Sequence, residues 1–128
     1  MLTKVLKYWF TSAPSASEPI SNEPTSPVPT SPAFLNVGGA SKQHAVPAHY
    51  AAWQHVLLDI AAGPGVDVVM DARKLSTLPP GQYDAVYNSH NLEHYYQHEV
   101  PKVLEGFAHI LKPDGFVEIH VPNMHGVL

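Results

Sequence analysis

The segment AFLNVGGAS, residues 33–41, contains the clearest strand-and-turn pattern in the chain. A run of apolar residues, 33–37, is closed by Gly38 and Gly39, which is typical of a buried strand followed by a tight turn. Glycine permits backbone conformations and close approaches that a side chain would prevent. The segment therefore predicts a buried strand whose carboxyl end can come close to a ligand.

Four further apolar segments follow, and each ends in a turn or a polar residue. They cover residues 55–60, 66–70, 83–88 and 116–121. A short helix is predicted over residues 48–53, and a longer one over 100–111, where apolar residues recur at helical spacing. The segment KPDG, 112–115, predicts the end of the longer helix. Strands that alternate with helices predict βαβ units, so the fold class is α/β, with a Rossmann-like parallel sheet.

The predicted strand ends carry the candidate site residues, because ligands of open parallel sheets bind beyond the carboxyl ends of the strands. These residues are glycines and small residues, two separate carboxylates, and small polar groups. In chain order they are Gly38, Gly39, Ala40, Asp59, Asp71, Asn88 and His90.

Motifs at these positions resemble those of class I S-adenosylmethionine-dependent methyltransferases, in the same order. LNVGGA resembles the glycine-rich first motif, LDI the acid-ended second strand, and VVMDA the third-strand motif; they occupy residues 35–40, 58–60 and 68–72. Four further motifs resemble those of the type-11-like branch of this family. They are YDAV, LEH, LKPDG and VP, at residues 83–86, 92–94, 111–115 and 121–122 respectively. The resemblance extends from about Phe34 to Asn123.

The resemblance implies strand order 3-2-1-4-5 and S-adenosylmethionine as the cofactor. It implies that the turn at Gly38, Gly39 and Ala40 cradles the amino-acid end of the cofactor, and that Asn88 contacts it. The cofactor supplies the reactive sulfonium, and the protein orients it for methyl transfer to an acceptor that the sequence does not identify. His90 is the candidate general base, since imidazole can accept a proton near neutral pH.

The same resemblance assigns the ribose and adenine contacts. Asp59 is expected to accept hydrogen bonds from both ribose hydroxyls. Asp71 is expected to accept from the adenine amino group, with Ala72 donating a backbone N–H, and Ile60 and Leu75 to pack on the adenine faces. A structural alternative stays open for Asp71, which is also suited to cap the turn that follows it.

The chain departs from the family in length, because the usual sheet has seven strands and the last two are missing here. This motivates an alternative function, a truncated or inactive methyltransferase-like domain that acts as a binding or interaction module. Its open sheet edge would then be covered by a partner chain or a second copy, since exposed edges favour pairing.

The histidines motivate a second alternative, a zinc-dependent hydrolase. His90 and His94, with Glu93, have the spacing H-x-x-E-H, which on a helix would present two imidazoles to zinc beside a general base. The methyltransferase-like motifs already account for Glu93 and His94, so no metal site is assigned.

Composition divides the chain into three parts. Residues 1–10 form a short N-terminal segment, 11–33 a Pro/Ser/Thr-rich stretch predicted to be a disordered linker, and 34–128 the S-adenosylmethionine-binding domain. The net charge of −4 gives no indication of nucleic-acid binding.

The sequence also bears on location. Because it has no cysteine, it excludes disulfides, thiolate metal sites and cysteine nucleophiles. No segment reads as a signal peptide or a membrane span, so the chain is predicted to be soluble and cytoplasmic.

Overall fold

The computed structural model describes the backbone of residues 3–9 and the whole of residues 31–122. It contains six strands and one α-helix: β1 (Thr3–Trp9), β2 (Ala33–Val37), β3 (Gln54–Asp59), β4 (Val68–Val69), β5 (Tyr83–Ser89), α1 (Val100–Ile110) and β6 (Leu111–Pro122). Short 3₁₀ segments cover Ala48–Tyr50, Ala72–Thr77 and Leu92–His94. Most of the predicted linker and the end of the predicted domain, residues 123–128, lie outside the described residues.

The strands form one sheet in the order β1-β6-β5-β2-β3-β4. Strands β2 to β6 are parallel to one another, with Leu35 opposite Val56 on β3 and Val86 on β5. The five parallel strands thus confirm the predicted α/β Rossmann-like class and the order 3-2-1-4-5. Of these five strands, β2 comes first in the chain and lies at the centre. The next two strands lie on one side of it and the last two on the other, so the strand order reverses beside the Gly38 turn.

The N-terminal segment supplies a sixth strand. Strand β1 pairs antiparallel with β6, from Thr3 opposite Pro122 to Trp9 opposite Phe116. The β6 edge, which a partner was expected to cover, is therefore paired within the chain itself. Contact with a partner chain or a second copy stays a prediction, and the edges of the described sheet are β1 and β4.

Both faces of the sheet are buried, because alternate residues of each strand point to opposite sides. One face packs against α1 in the larger core, which contains Leu35, Val37, Val86, Val103, Phe107, Ile110, Val117 and Ile119. The other face carries a smaller, aromatic core of Phe34, Tyr50, Ala85 and Tyr87. The rings of Phe34 and Tyr50 stack there at a centroid distance of 4.3 Å.

Two predicted elements are shorter in the structure than expected. The helix expected over residues 48–53 is only a 3₁₀ turn at Ala48–Tyr50, because so short a segment lacks the cooperativity of a longer helix. The strand expected over 66–70 is reduced to Val68–Val69. Just before β4, the Asp67 carboxylate accepts the Leu57 N–H at 2.9 Å. This N–H thus bonds to a side chain instead of to the backbone of a neighbouring strand.

The helix α1 follows the predicted apolar stripe closely, and Pro101 lies in its first turn. The segment 112–115 ends the helix as predicted but belongs to β6, where the pairing with β5 shifts register after Tyr83. Asp114 has a φ of 67° in this irregularity. Among the described residues, no helix has the length and apolarity needed to cross a membrane.

Candidate functional site

A cavity of about 230 Å³, here called cavity A, lies at the carboxyl ends of β2 and β3. It brings together four of the predicted cofactor residues, Gly38, Asp59, Ile60 and Ala72. The rest of its lining consists of Val37, Leu58, Met70, Asn91, His94 and Tyr95. The strand-end argument therefore located one continuous cavity with a carboxylate, an apolar surface and a glycine turn.

Asp59 provides the acceptor group of cavity A. Its Oδ1 accepts the Ala61 N–H at 3.0 Å, which closes the turn after β3. Its Oδ2 makes no hydrogen bond to the described part of the chain. The neighbouring Ile60 is 69% exposed, so an apolar side chain stands beside the carboxylate without protein packed over it.

The glycine turn is held in place by the polar side chains around it. Gly38 has a φ of 75° and donates its N–H to the Leu58 carbonyl at 2.9 Å. A Cβ on Gly38 would overlap the Asn91 amide, and a Cβ on Gly39 would lie 2.6 Å from the amide nitrogen of Asn36. Neither position accepts a side chain unless its neighbour moves.

Ala40 completes the turn with a φ of 59°, the left-handed conformation that the family's glycine would adopt more easily. The tight turn predicted at residues 38–40 is therefore present, although its third position carries a methyl group. Gly39 and Ala40 line a neighbouring cavity rather than cavity A.

Asn88 is fully buried beneath the turn. Its amide donates to the Val37 carbonyl at 3.2 Å and to Asn91 Oδ1 at 3.0 Å. Its own Oδ1 is buried with no hydrogen-bond partner in the described structure. Since buried polar atoms are nearly always paired, this oxygen is a candidate acceptor for a ligand N–H or O–H. Both residues that Asn88 donates to, Val37 and Asn91, line cavity A, whereas Asn88 itself does not.

The structure gives Asp71 a capping role instead of a place in cavity A. Its Oδ1 accepts the Arg73 backbone N–H at 2.9 Å, and both its oxygens accept from the Arg73 side chain. These hydrogen bonds hold the pKa of Asp71 below its usual value. Arg73 also donates to Glu99 at 2.6 Å, which fixes the 3₁₀ segment to the start of α1. The capping alternative is confirmed, and the expected adenine contact of Asp71 stays a prediction.

Leu75 does not line cavity A, because it is completely buried in the core against α1. Gly106 of α1 lies so close that a Cβ there would be 2.8 Å from the Leu75 Cβ. The expected adenine surface is thus reduced to Ile60 and its neighbours in cavity A.

A second cavity of about 270 Å³, here called cavity B, lies on the other side of the glycine turn. It contains the predicted base, His90, together with Gly39, Ala40, His44, Val46 and Tyr87. Gly38 lines both cavities, so the turn forms the boundary between them.

His90 follows β5 with a φ of 51° and donates its backbone N–H to the His120 carbonyl at 2.7 Å. His94 lies in the 3₁₀ segment Leu92–His94, so no helix carries both imidazoles. The arrangement required by the zinc hypothesis is therefore not formed. Within the described residues there is no cluster of three side chains suited to hold a metal.

Sequence reasoning missed a buried carboxylate on the aromatic face of the sheet. Glu118 is 2% exposed and accepts from His49 Nε2 at 2.7 Å, Tyr50 Oη at 3.0 Å and His120 Nε2 at 2.8 Å. Burial alone raises the pKa of Glu118, but hydrogen bonds from His120, Tyr50 and His49 outweigh it, so this pKa lies below its usual value. Burial and the Glu118 charge raise the pKa of Tyr50.

Other histidines also have structural partners. The Asn36 amide donates to His55 Nε2 at 3.1 Å, and burial is the largest cause of the lowered His55 pKa. His109 Nε2 donates to the Leu78 carbonyl at 2.6 Å. Much of the histidine content that suggested a metal therefore serves local hydrogen bonding.

Comparison with known proteins agrees with this geometry. The profile of a family described as a methyltransferase domain matches residues 35–119. The chain belongs to this family. The match begins in β2, just before the glycine turn, and ends at Ile119 in β6. It therefore includes every residue that lines the two cavities.

The methyltransferase domain also resembles a solved structure, a SAM dependent methyltransferase from Archaeoglobus fulgidus. The TM-score is 0.61 at 22% sequence identity, and the match covers 73% of this chain and 46% of that chain. At this identity the similarity supports the fold. The domain thus spans about half the length of the solved relative. No curated protein sequence matches it significantly.

The geometry of the turn makes Gly38→Ala a sensitive test in this methyltransferase domain. We expect a loss of about 1–3 kcal/mol in the free energy of unfolding, from the positive φ and the overlap with Asn91. Urea denaturation measures this loss. Adding Asn91→Ala to Gly38→Ala removes the overlap but leaves the backbone strain, so it should restore only part of the stability. Unchanged stability in the single variant would contradict the described turn.

Proposed function

We propose that this methyltransferase domain binds S-adenosylmethionine in cavity A and transfers its methyl group to an acceptor of unidentified structure. The observation that carries the proposal is the grouping of Gly38, Asp59 and Ile60 around one cavity at the carboxyl edge of the sheet. Family membership supports the same activity.

The residues of cavity A suit the chemical groups of this cofactor. Asp59 has a carboxylate oxygen available for the ribose hydroxyls, and a carboxylate accepts two such hydrogen bonds well. Ile60 offers an exposed apolar surface for the adenine ring. The unpaired Oδ1 of Asn88 suits the ammonium group at the amino-acid end, once the Asn91 side chain moves aside.

When bound, S-adenosylmethionine supplies a methyl group activated by a positively charged sulfur. The protein has to hold an acceptor close by and, where the acceptor is a hydroxyl or amine, receive its proton. Cavity B adjoins the same glycine turn and contains imidazoles, including His90, that can accept a proton. A cytoplasmic location belongs to this proposal, because a chain without cysteine suits a reducing compartment.

Titration of S-adenosylhomocysteine into the purified full chain by calorimetry tests the proposal. We expect saturable binding at one site per chain, and weaker binding of adenosine, which lacks the amino-acid end. Absence of binding by protein shown to be folded by circular dichroism would overturn the cofactor assignment.

A further inference from the structure

Cavity B is bordered by uncharged side chains. None of the residues that line it is Asp, Glu, Lys or Arg, and its walls combine Tyr87 and Val46 with His44, Ser89 and His90. Ala40, His44, Ala45 and His90 are exposed, so cavity B opens to solvent, but no charged side chain in its lining would pair with an ion. Its volume of about 270 Å³ lies just below the range of roughly 300–1,000 Å³ usual for drug-sized ligands. Cavity B therefore suits a small, uncharged molecule.

The hydrogen bond between His44 and Gly39 fixes which imidazole nitrogen is available. His44 Nδ1 lies 3.0 Å from the Gly39 carbonyl oxygen. A carbonyl oxygen only accepts, so Nδ1 must carry the proton. In the neutral ring, Nε2 then has the lone pair and is the acceptor atom. His90, by comparison, makes no side-chain hydrogen bond to the described residues that would fix its tautomer.

We infer that cavity B binds a small, uncharged hydroxyl compound with a planar apolar part, whose hydroxyl donates to Nε2 of His44. The planar part would pack on Tyr87, which is only 6% exposed and is held by ring contacts with Tyr50 and His120. The Gly39 carbonyl acts as the orienting group for the imidazole, as a second hydrogen bond commonly does for functional histidines.

One part of this inference rests on the proposed function, namely that the hydrogen bond to His44 Nε2 prepares the bound compound for methyl transfer. If the bound compound is the methyl acceptor, its hydroxyl proton passes to His44 Nε2 while its oxygen forms the new bond to the methyl carbon. The bond between that carbon and the cofactor sulfur breaks, and its electron pair stays on sulfur. The imidazolium later releases the proton to solvent.

The test uses phenol, which is uncharged near pH 7.5, as the probe for cavity B. Two-dimensional ¹⁵N–¹H NMR of the full chain would follow titrations with phenol, toluene and benzoate. We expect saturable shifts at His44, Val46 and Ser89 with phenol, and weaker effects with toluene, which lacks the hydroxyl, and with benzoate, which is an anion. Long-range ¹⁵N correlations should show His44 with its proton on Nδ1.

His44→Asn is the informative variant, because its amide can still donate to the Gly39 carbonyl but provides no atom at the position of Nε2. We expect phenol to bind this variant roughly fivefold more weakly or worse. The matched control is His98→Asn, at an exposed histidine stacked on Tyr96, and should bind phenol as the parent does.

Equal phenol affinity in His44→Asn and the parent would overturn the inference, as would shifts that map outside cavity B or an equal response to toluene or benzoate. A titration with S-adenosylhomocysteine on the same sample separates the two proposals. If that ligand binds and phenol does not, the assignment of cavity B fails and the cofactor assignment stands. If phenol binds alone, the cofactor assignment fails.

Discussion

Asp59→Asn should weaken S-adenosylhomocysteine binding by about 30-fold or more, equivalent to roughly 2 kcal/mol. The substitution keeps the size of the side chain and leaves an oxygen for the Ala61 N–H, which Asp59 Oδ1 accepts at 3.0 Å. It removes the negative charge and replaces the second oxygen by an amide that only donates. The two ribose hydroxyls then lose a charged acceptor in cavity A. Calorimetric titration of the parent and the variant gives the two dissociation constants.

Asp114→Asn is the matched control for this experiment. Asp114 is exposed and has a φ of 67°, a conformation that asparagine also tolerates. The control has the same change of charge as Asp59→Asn but lies in the irregular part of β6, outside the lining of cavity A. It should therefore bind the ligand with parental affinity. Equal affinities for all three proteins would mean that Asp59 does not hold the ribose.

Glu118→Ala should lower the free energy of unfolding by about 3–5 kcal/mol, the usual cost of removing one partner from a buried charged network. The variant leaves the Tyr50 hydroxyl without its acceptor, and Tyr50 is buried, with only 2% of its surface exposed. It also removes the acceptor of His120 Nε2. Since small domains are stable by only about 5–15 kcal/mol, the loss should be plain in urea denaturation at neutral pH.

His49→Asn provides the comparison. The His49 side chain is 41% exposed, so water can replace part of what its hydrogen bond to Glu118 provides. We expect a loss below about 1 kcal/mol for this partner. Similar losses in the two variants would contradict the central role of the Glu118 carboxylate.

Acid should remove the contribution of Glu118. Its pKa is lower in the folded chain than the ordinary value of 4.5, so the unfolded chain binds the proton more readily. The stabilisation is therefore complete above about pH 4.5 and is lost as the pH falls through the lower, folded value. The stability difference between the parent and Glu118→Gln should narrow over that interval, and urea denaturation at several acidic pH values measures it. A difference that stays constant would show that the charge of Glu118 contributes nothing.

Local sequence patterns were sufficient to predict the parallel sheet. The apolar runs, their closing residues and the stripe of α1 are properties of neighbouring residues, and they predicted β2, β3, β5 and the helix well. The strand-end argument likewise predicted that Asp59 lies at the carboxyl edge of the sheet, where it lines cavity A, because the position of a strand's carboxyl end follows from the sequence. The capping role of Asp71 could also be predicted locally, because Arg73, which donates to its carboxylate, is only two residues away.

Features that depend on distant residues were not predictable in this way. Two partners of Glu118, His49 and Tyr50, precede it by almost 70 residues and meet it only in the folded chain. The hydrogen bond of His44 to Gly39 depends on the path of a loop without regular structure. Strand β1 had no recognisable partner because its pairing joins the two ends of the described chain.

The pairing of β1 with β6 also has a consequence for synthesis. The first described strand has its sheet partner in the last described strand, since Thr3 lies opposite Pro122. During synthesis β1 therefore stays without this partner until β6 has been translated. During that interval β2 to β5 can already assemble, and the arrival of β6 both completes the parallel sheet and recruits β1. A ribosome that stalls shortly before residue 122 would hold a chain whose sheet is still open at β5.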